Sequence, residues 1–223
     1  MDRIGDAFGW PFRDPEWVNK ILVMGLILLI PVAGVIDGLG WMLAALDRLR
    51  AGDERLPPAN FDYLERGFRL FIVLFLYYLV LVAVAAAIYL PAVAILAQQS
   101  QAETTNPVLV SVGVALSLLA FSFTTFGSLA VTFLTPAIVL AFERGGIAGG
   151  LRVVEVVKHG RASITNTLIA GLMLIAASLI AQLGSVVCLI GVVFTGAYAL
   201  GIQAWIVRSY ELGASGQGRP ATT

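Results

Sequence analysis

Apolar stretches alternate with short polar connections along the whole chain of 223 residues. From Trp17 to Leu49 the residues are mostly apolar, but Pro31-Val32-Ala33-Gly34 interrupts them. A single helix over that stretch would be about 50 Å long at about 1.5 Å per residue, against a hydrocarbon core of about 30 Å. Two geometries answer the mismatch. One tilted span would put Arg3, Arg13 and Lys20 on the side opposite Arg50; a helical hairpin over residues 15–51, with its apex at Pro31–Gly34, returns both ends to one side. The hairpin is the preferred reading, and it needs protein cover wherever its broken backbone lies at membrane depth.

The remaining pattern predicts four spans, at about 68–97, 107–135, 164–183 and 185–207, the last two joined by a tight turn at Gly184-Ser185. Pro136 marks the expected end of the second of these. Between 137 and 160, Arg152, Glu155 and His159 recur at helical spacing opposite Val153, Val154 and Val157, as in an amphipathic helix lying in the interface. Residues 1–14 read as a lead-in whose Phe8, Trp10 and Phe12 suit the headgroup zone. Asp14-Pro15-Glu16 reads as a helix start with Asp14 as cap, and residues 212–223 as a flexible tail. The fold class expected is an all-α integral membrane protein: four transmembrane helices, an N-terminal Pro/Gly-broken hairpin and an interfacial helix, in one membrane domain over 15–211.

Charge placement orients this scheme. All fourteen Lys and Arg residues lie in the N-terminal segment, around Arg48–Arg69, around Arg144–Arg161, or in the C-terminal tail region, and the turns after Leu96 and Gln182 carry none. By the positive-inside rule these segments face the cytoplasm, which predicts a multi-pass membrane protein with both termini cytoplasmic. Composition agrees: 59% of residues are hydrophobic and 13% charged, where a soluble domain carries about a quarter charged. Acidic residues before the first apolar run argue against a cleavable signal peptide. A net charge of zero gives no reason to expect nucleic acid as partner. One cysteine, Cys188, and one histidine, His159, exclude thiolate metal clusters and bis-histidine sites within one chain.

Certain residues carry a likeness. Trp10-Pro-Phe-x-Asp14-Pro-x-Trp17 leads into a run ending Ile30-Pro31; Gly40-Trp41, Gly52-x-x-x-Leu56-Pro57, Phe142-Glu143-Arg144-Gly145 and Gly184 to Gly191 follow. Together they resemble a family of prokaryotic polytopic membrane proteins known only as a domain of unknown function, over roughly residues 8 to 210. Leu56-Pro57-Pro58 departs from the Leu-Pro-acidic-Trp of that family. The resemblance implies a topology and no activity.

Asp37 is the one acid well inside an apolar run, where a charge costs about 3 kcal/mol on insertion scales. It suits either proton or cation handling or, at the start of a helix restarting near Gly34, the positive end of the dipole. Thr124, Ser128 and Thr132 form a stripe that fits a polar path or, more commonly, helix packing. Gly34 with Gly38, and Gly191 with Thr195 and Ala199, are small-residue ridges for helix contact, as are Gly171, Ser178, Gln182 and Ser185 on the span before. Arg48, Arg50, Arg144, Arg152, Lys158 and Arg161 serve topology and are also placed to meet anionic headgroups. His159 sits too near the interface for an axial-ligand role. No nucleophile–base pair, phosphate loop or carboxylate pair stands out, and Gly145–Gly150 reads as a bend at the membrane surface.

These features point to a non-enzymatic accessory or scaffold subunit without cofactor or metal. Its expected partners are the lipid bilayer and other membrane subunits or further copies of itself. The alternative is a small transporter or channel for a neutral or amphiphilic solute, using the broken hairpin and the Ser/Thr stripe.

Overall fold

The computed structural model describes residues 4–186 and 188–216, apart from the side chains at 4, 185, 186, 188–190, 192 and 216. The side chains of Ser185 and Cys188 and the tail beyond 216 therefore lie outside the described residues. Within them the chain is helical, without a strand: two 3-10 turns, Ile4–Phe8 and Trp10–Arg13, then α1 (Trp17–Leu28), α2 (Ala33–Arg50), α3 (Leu64–Ser100), α4 (Pro107–Gly150), α5 (Val153–Ala162), α6 (Ile164–Val186) and α7 (Cys188–Gly216). Among the described residues, three stretches are long and apolar enough to cross a bilayer, Leu64–Ser100, Pro107–Gly150 and Ile164–Gly184. The chain divides into two compact units, one of residues 1–73 with 132–223, the other of residues 74–131.

In the larger unit, α1 and α2 form a closed hairpin. Lys20 near the start of α1 and Arg48 near the end of α2 both donate to the carbonyl of Leu56 (3.0 and 3.2 Å). The reversal rests on Pro31-Val32-Ala33, where the Ala33 N–H donates to Pro31 O (2.7 Å) around Val32 at φ 64°, ψ −60°. This is a γ-turn of the rare, strained hand. The N–H groups of Leu29, Ile30, Gly34 and Ile36 likewise donate to carbonyls of the preceding turn. The break thus satisfies these backbone groups itself. Leu26, Ile30, Val32 and Val35 stand exposed around the apex.

Glycines set how closely the helices approach. A Cβ on Gly34 would run into Ile27 O, one on Gly25 into Val193 O of α7, and one on Gly67 into Ile36 O, so each crossing is backbone against backbone. Gly38 receives Leu28 and Leu200, Gly184 faces Gly191 and Thr195 across α6 and α7, and Gly171 receives the Phe133 ring. The core under these crossings includes Trp10, Ile21, Met24, Trp41, Leu46, Leu56, Ile138 and Ile206.

The structure departs from the sequence reading at four boundaries. Pro136 lies inside α4, which continues through the buried residues Ala137 to Leu140. The missing N–H is tolerated in a helix held by its neighbours. The change of direction falls at Gly145 (φ −133°) and Gly146 (φ 60°), where glycine has freedom that proline does not confer. The amphipathic helix is accordingly α5 alone, not 137–160. α6 runs through Gly184 and Ser185 rather than turning there, and α7 carries helix through Leu212 to Gly216. Within the lead-in, Trp10 is wholly buried and stacks on Trp205 of α7 with ring centroids 5.7 Å apart, while Phe12 is exposed.

The smaller unit is an antiparallel pair formed by residues 74–131 of α3 and α4. Leu81 fills the space beside Gly127 and Leu96 the space beside Gly113. Asn106 caps α4, its Oδ1 accepting from Val108 N (3.0 Å), with Pro107 at the first helical position. Gln99 Oε1 accepts from Asn106 N (2.8 Å) and closes the turn.

Candidate functional site

Polar chemistry is concentrated in the larger unit, in four groups. The first is built on the peptide of Leu56. Asp14, 1% exposed, accepts from Leu56 N (2.9 Å) and Lys20 Nζ (2.8 Å) through Oδ2, and from Glu16 N (2.9 Å) through Oδ1. α1 begins at Trp17 with Glu16 in the capping position, so Asp14 clamps a distant loop rather than capping its own helix. Burial alone would raise the Asp14 carboxyl; the hydrogen bond and charge of Lys20, with the N–H groups of Glu16 and Leu56, outweigh it and hold the group below the usual range. Trp41 Nε1 donates to Pro57 O (3.2 Å) and Trp10 Nε1 to Gly201 O (3.2 Å), so the same loop and lead-in are pinned on α2 and α7.

The second group joins four helices by charge. Glu143 of α4 accepts from Arg50 of α2 (2.9 Å) and Arg66 of α3 (2.8 Å). Arg66 also pairs with Asp47, and Arg50 with Glu211 of α7 (3.1 Å), which takes Arg208 as well (2.8 Å). Three acids and three bases thus close a neutral network. Sequence reasoning missed Asp47, Glu143 and Glu211 as partners. The available signal was that acids equal bases in number and, Asp37 and Glu103 aside, share the same segments.

The third group is Asp37, buried at 0% exposure. Its Oδ1 accepts from Tyr63 N (3.2 Å), the residue whose carbonyl receives Gly67 N at the start of α3; its Oδ2 has no partner among the described residues. The carboxylate anchors the entry to α3 and does not face the first turn of its own helix. On the Ser/Thr stripe, in the smaller unit, Thr124 Oγ1 donates to Ala120 O (2.9 Å) and Ser128 Oγ to Thr125 O (3.0 Å) of their own helix. Thr195 bridges to Ala181 O (3.1 Å) across α6 and α7, with Gly191 at the same crossing and Ala199 buried.

The fourth is a cavity of about 330 Å³ between the end of α4, α5 and α7. Arg144, Arg152, His159, Glu155 and Tyr210 supply its polar lining, and Ala137, Leu140 and Val156 its apolar wall. Arg144 Nη1 lies 3.4 Å from His159 Nε2, and His159 Nδ1 lies 3.1 Å from Glu155 O. With Nδ1 donating to that carbonyl, Nε2 accepts from the guanidinium. The six cations singled out in the sequence therefore separate. Arg48 and Arg50 are held by internal partners, Arg144 and Arg152 line the cavity, and Lys158 and Arg161 are exposed on α5.

Residues 23–200 match a family model described as a protein of unknown function (DUF4013). The chain belongs to the DUF4013 family. No curated protein and no solved structure matches it. Within the DUF4013 range, Gly40-Trp41 and Leu56-Pro57 meet at one joint, Glu143 centres the charge network, and Gly184 and Gly191 make the α6–α7 crossing. Trp10 to Trp17 precedes the matched range but docks on α7 and on Leu56.

Proposed function

We infer that this DUF4013 protein is a multi-pass subunit of a prokaryotic cytoplasmic membrane whose work is association with other membrane proteins or with further copies of itself. The bilayer reading is supported by three long apolar helices, by the exposed apolar apex of the α1–α2 hairpin, and by cations confined to one set of connections. In it α3, α4, α6 and α7 cross, the hairpin enters from the cytoplasmic side, and both termini are cytoplasmic. The observation carrying the association reading is on α3. Ala83, Ala87, Pro91 and Ala94 recur at helical spacing and are all exposed. A small-residue ridge facing outward lets another helix come close, where Leu or Phe would favour lipid.

Site-specific photo-crosslinking at Ala87 in cells tests this. A defined crosslinked protein, or a dimer of the chain, is expected at Ala87 and lost on Ala83→Ile; crosslinking to lipid alone at Ala87 refutes it. A cysteine at Gly5 in a Cys188→Ser background should label only from the cytoplasmic side.

The transporter reading draws on one observation, the partnerless buried Oδ2 of Asp37. It requires solute flux in proteoliposomes that Asp37→Asn abolishes while Ser128→Ala leaves it intact.

A further inference from the structure

We propose that the cavity between α4, α5 and α7 binds a phosphate-bearing anion, and that its source is the headgroup of an anionic phospholipid of the inner leaflet. Arg144 has no carboxylate partner among the described residues; its contact is the His159 ring at 3.4 Å. An Arg whose contact is an imidazole rather than a carboxylate keeps donors free for a planar or tetrahedral oxyanion. Arg152 also lines the cavity, and its own ion pair with Glu155 is long (3.4 Å) and exposed on both sides, so it is readily exchanged for a stronger anion. Glu155 is the one carboxylate in the lining, against two guanidinium groups, and the balance there is positive. The volume, about 330 Å³, falls in the range of about 300–1,000 Å³ of small-molecule sites.

The surroundings favour a lipid over the free ion. Ala137, Leu140, Ala141 and Val156 give the cavity an apolar flank, as an acyl-glycerol stem requires. On α5, Val153 and Val154 are exposed, Val154 at 82%, beside the exposed Lys158 and Arg161. An amphipathic helix with bare valines and adjacent cations lies in the headgroup plane, which brings the cavity mouth to the depth of the phosphates. The inference rests on the bilayer placement above and is independent of any protein partner.

Full-length protein in mild detergent, titrated with dioleoylphosphatidylglycerol or dioleoylphosphatidylcholine and read by native mass spectrometry, tests it. Wild type should retain phosphatidylglycerol roughly tenfold more tightly than phosphatidylcholine. Arg144→Gln/Arg152→Gln should abolish the preference, and Arg55→Gln, at an exposed cation away from the cavity, should keep it. Ala214→Trp fills the cavity without removing a charge and should abolish binding as well, which separates a lost site from a damaged fold. Equal phosphatidylglycerol retention by wild type and both cavity variants overturns the site. Displacement of the lipid by inorganic phosphate alone overturns the lipid source. If the chain partitions with the aqueous fraction of cells, it is the bilayer placement that fails.

Discussion

Removing the Asp14 carboxylate should destabilise the protein by about 3 kcal/mol. Asp14→Ala deletes acceptors for three donors, two of them fully buried in the fold or nearly so: Leu56 N–H, on a residue with 0% exposure, and the Lys20 ammonium, whose side chain is 12% exposed. An orphaned buried N–H costs about 1–3 kcal/mol, and breaking one side of a buried ion pair about 3–5 kcal/mol. Lys20 keeps Leu56 O at 3.0 Å, so the lower end of that range applies. Lys20→Met leaves the carboxylate two backbone N–H donors and should cost about 2 kcal/mol. The double variant should then fall short of the sum by about 1 kcal/mol or more. Equilibrium unfolding in mixed micelles, followed by fluorescence of the buried Trp10 and Trp41, measures all three. An Asp14→Ala protein within about 0.5 kcal/mol of wild type would refute the clamp. The pH dependence has a defined sign. A carboxyl held below its unfolded value of about 3.9 contributes fully above that pH and loses the contribution as pH falls through the lower folded value. Asp14→Ala should therefore flatten the acid limb of the stability profile below about pH 4.

Other expectations follow from single geometries. Val32→Gly relieves a positive φ at an exposed apex and should raise stability by about 1 kcal/mol in the same micelle assay, the relief of backbone strain exceeding the glycine entropy cost. Gly67→Ala drives a methyl into Ile36 O and should cost at least about 1–3 kcal/mol, with loss of the monodisperse peak on size exclusion. Glu143→Gln leaves Arg50 and Arg66 facing an uncharged amide and should cost about 1.5–3 kcal/mol, less in high salt because the arginines are partly exposed.

Periodic features of the chain are legible in its sequence, whereas long-range pairings are not. The helical character, the long apolar helices and the break at Pro31 follow from residue spacing and the length limits of a helix in lipid. Pro136 misleads because a proline marks a lost hydrogen bond, while the direction of the chain changes where Gly146 can adopt positive φ. Trp10 reads as a headgroup aromatic until Trp205 and Gly201, far along the chain, are seen to receive it. Likewise Arg50 reads as a topological charge, since nothing local shows that Glu143 and Glu211 neutralise it. The Arg144–His159–Arg152 cavity was half visible: the cations are evident, but their arrangement around an empty volume depends on α7 bringing Tyr210 and Ala214 alongside.

The hydrogen bond from Trp10 to Gly201 spans 191 positions, and it gives the Trp10 segment an unusual schedule. At about 5–20 residues per second, a ribosome needs roughly ten to forty seconds to deliver the acceptor after the donor has emerged. Throughout that interval Trp10 has no docking place, even though the α1–α2 hairpin can already close once Leu56 is synthesised. The segment around Trp10 is thus among the last parts to settle, and a chain truncated before α7 would present Trp10 bare to the membrane surface and to the proteases that patrol it.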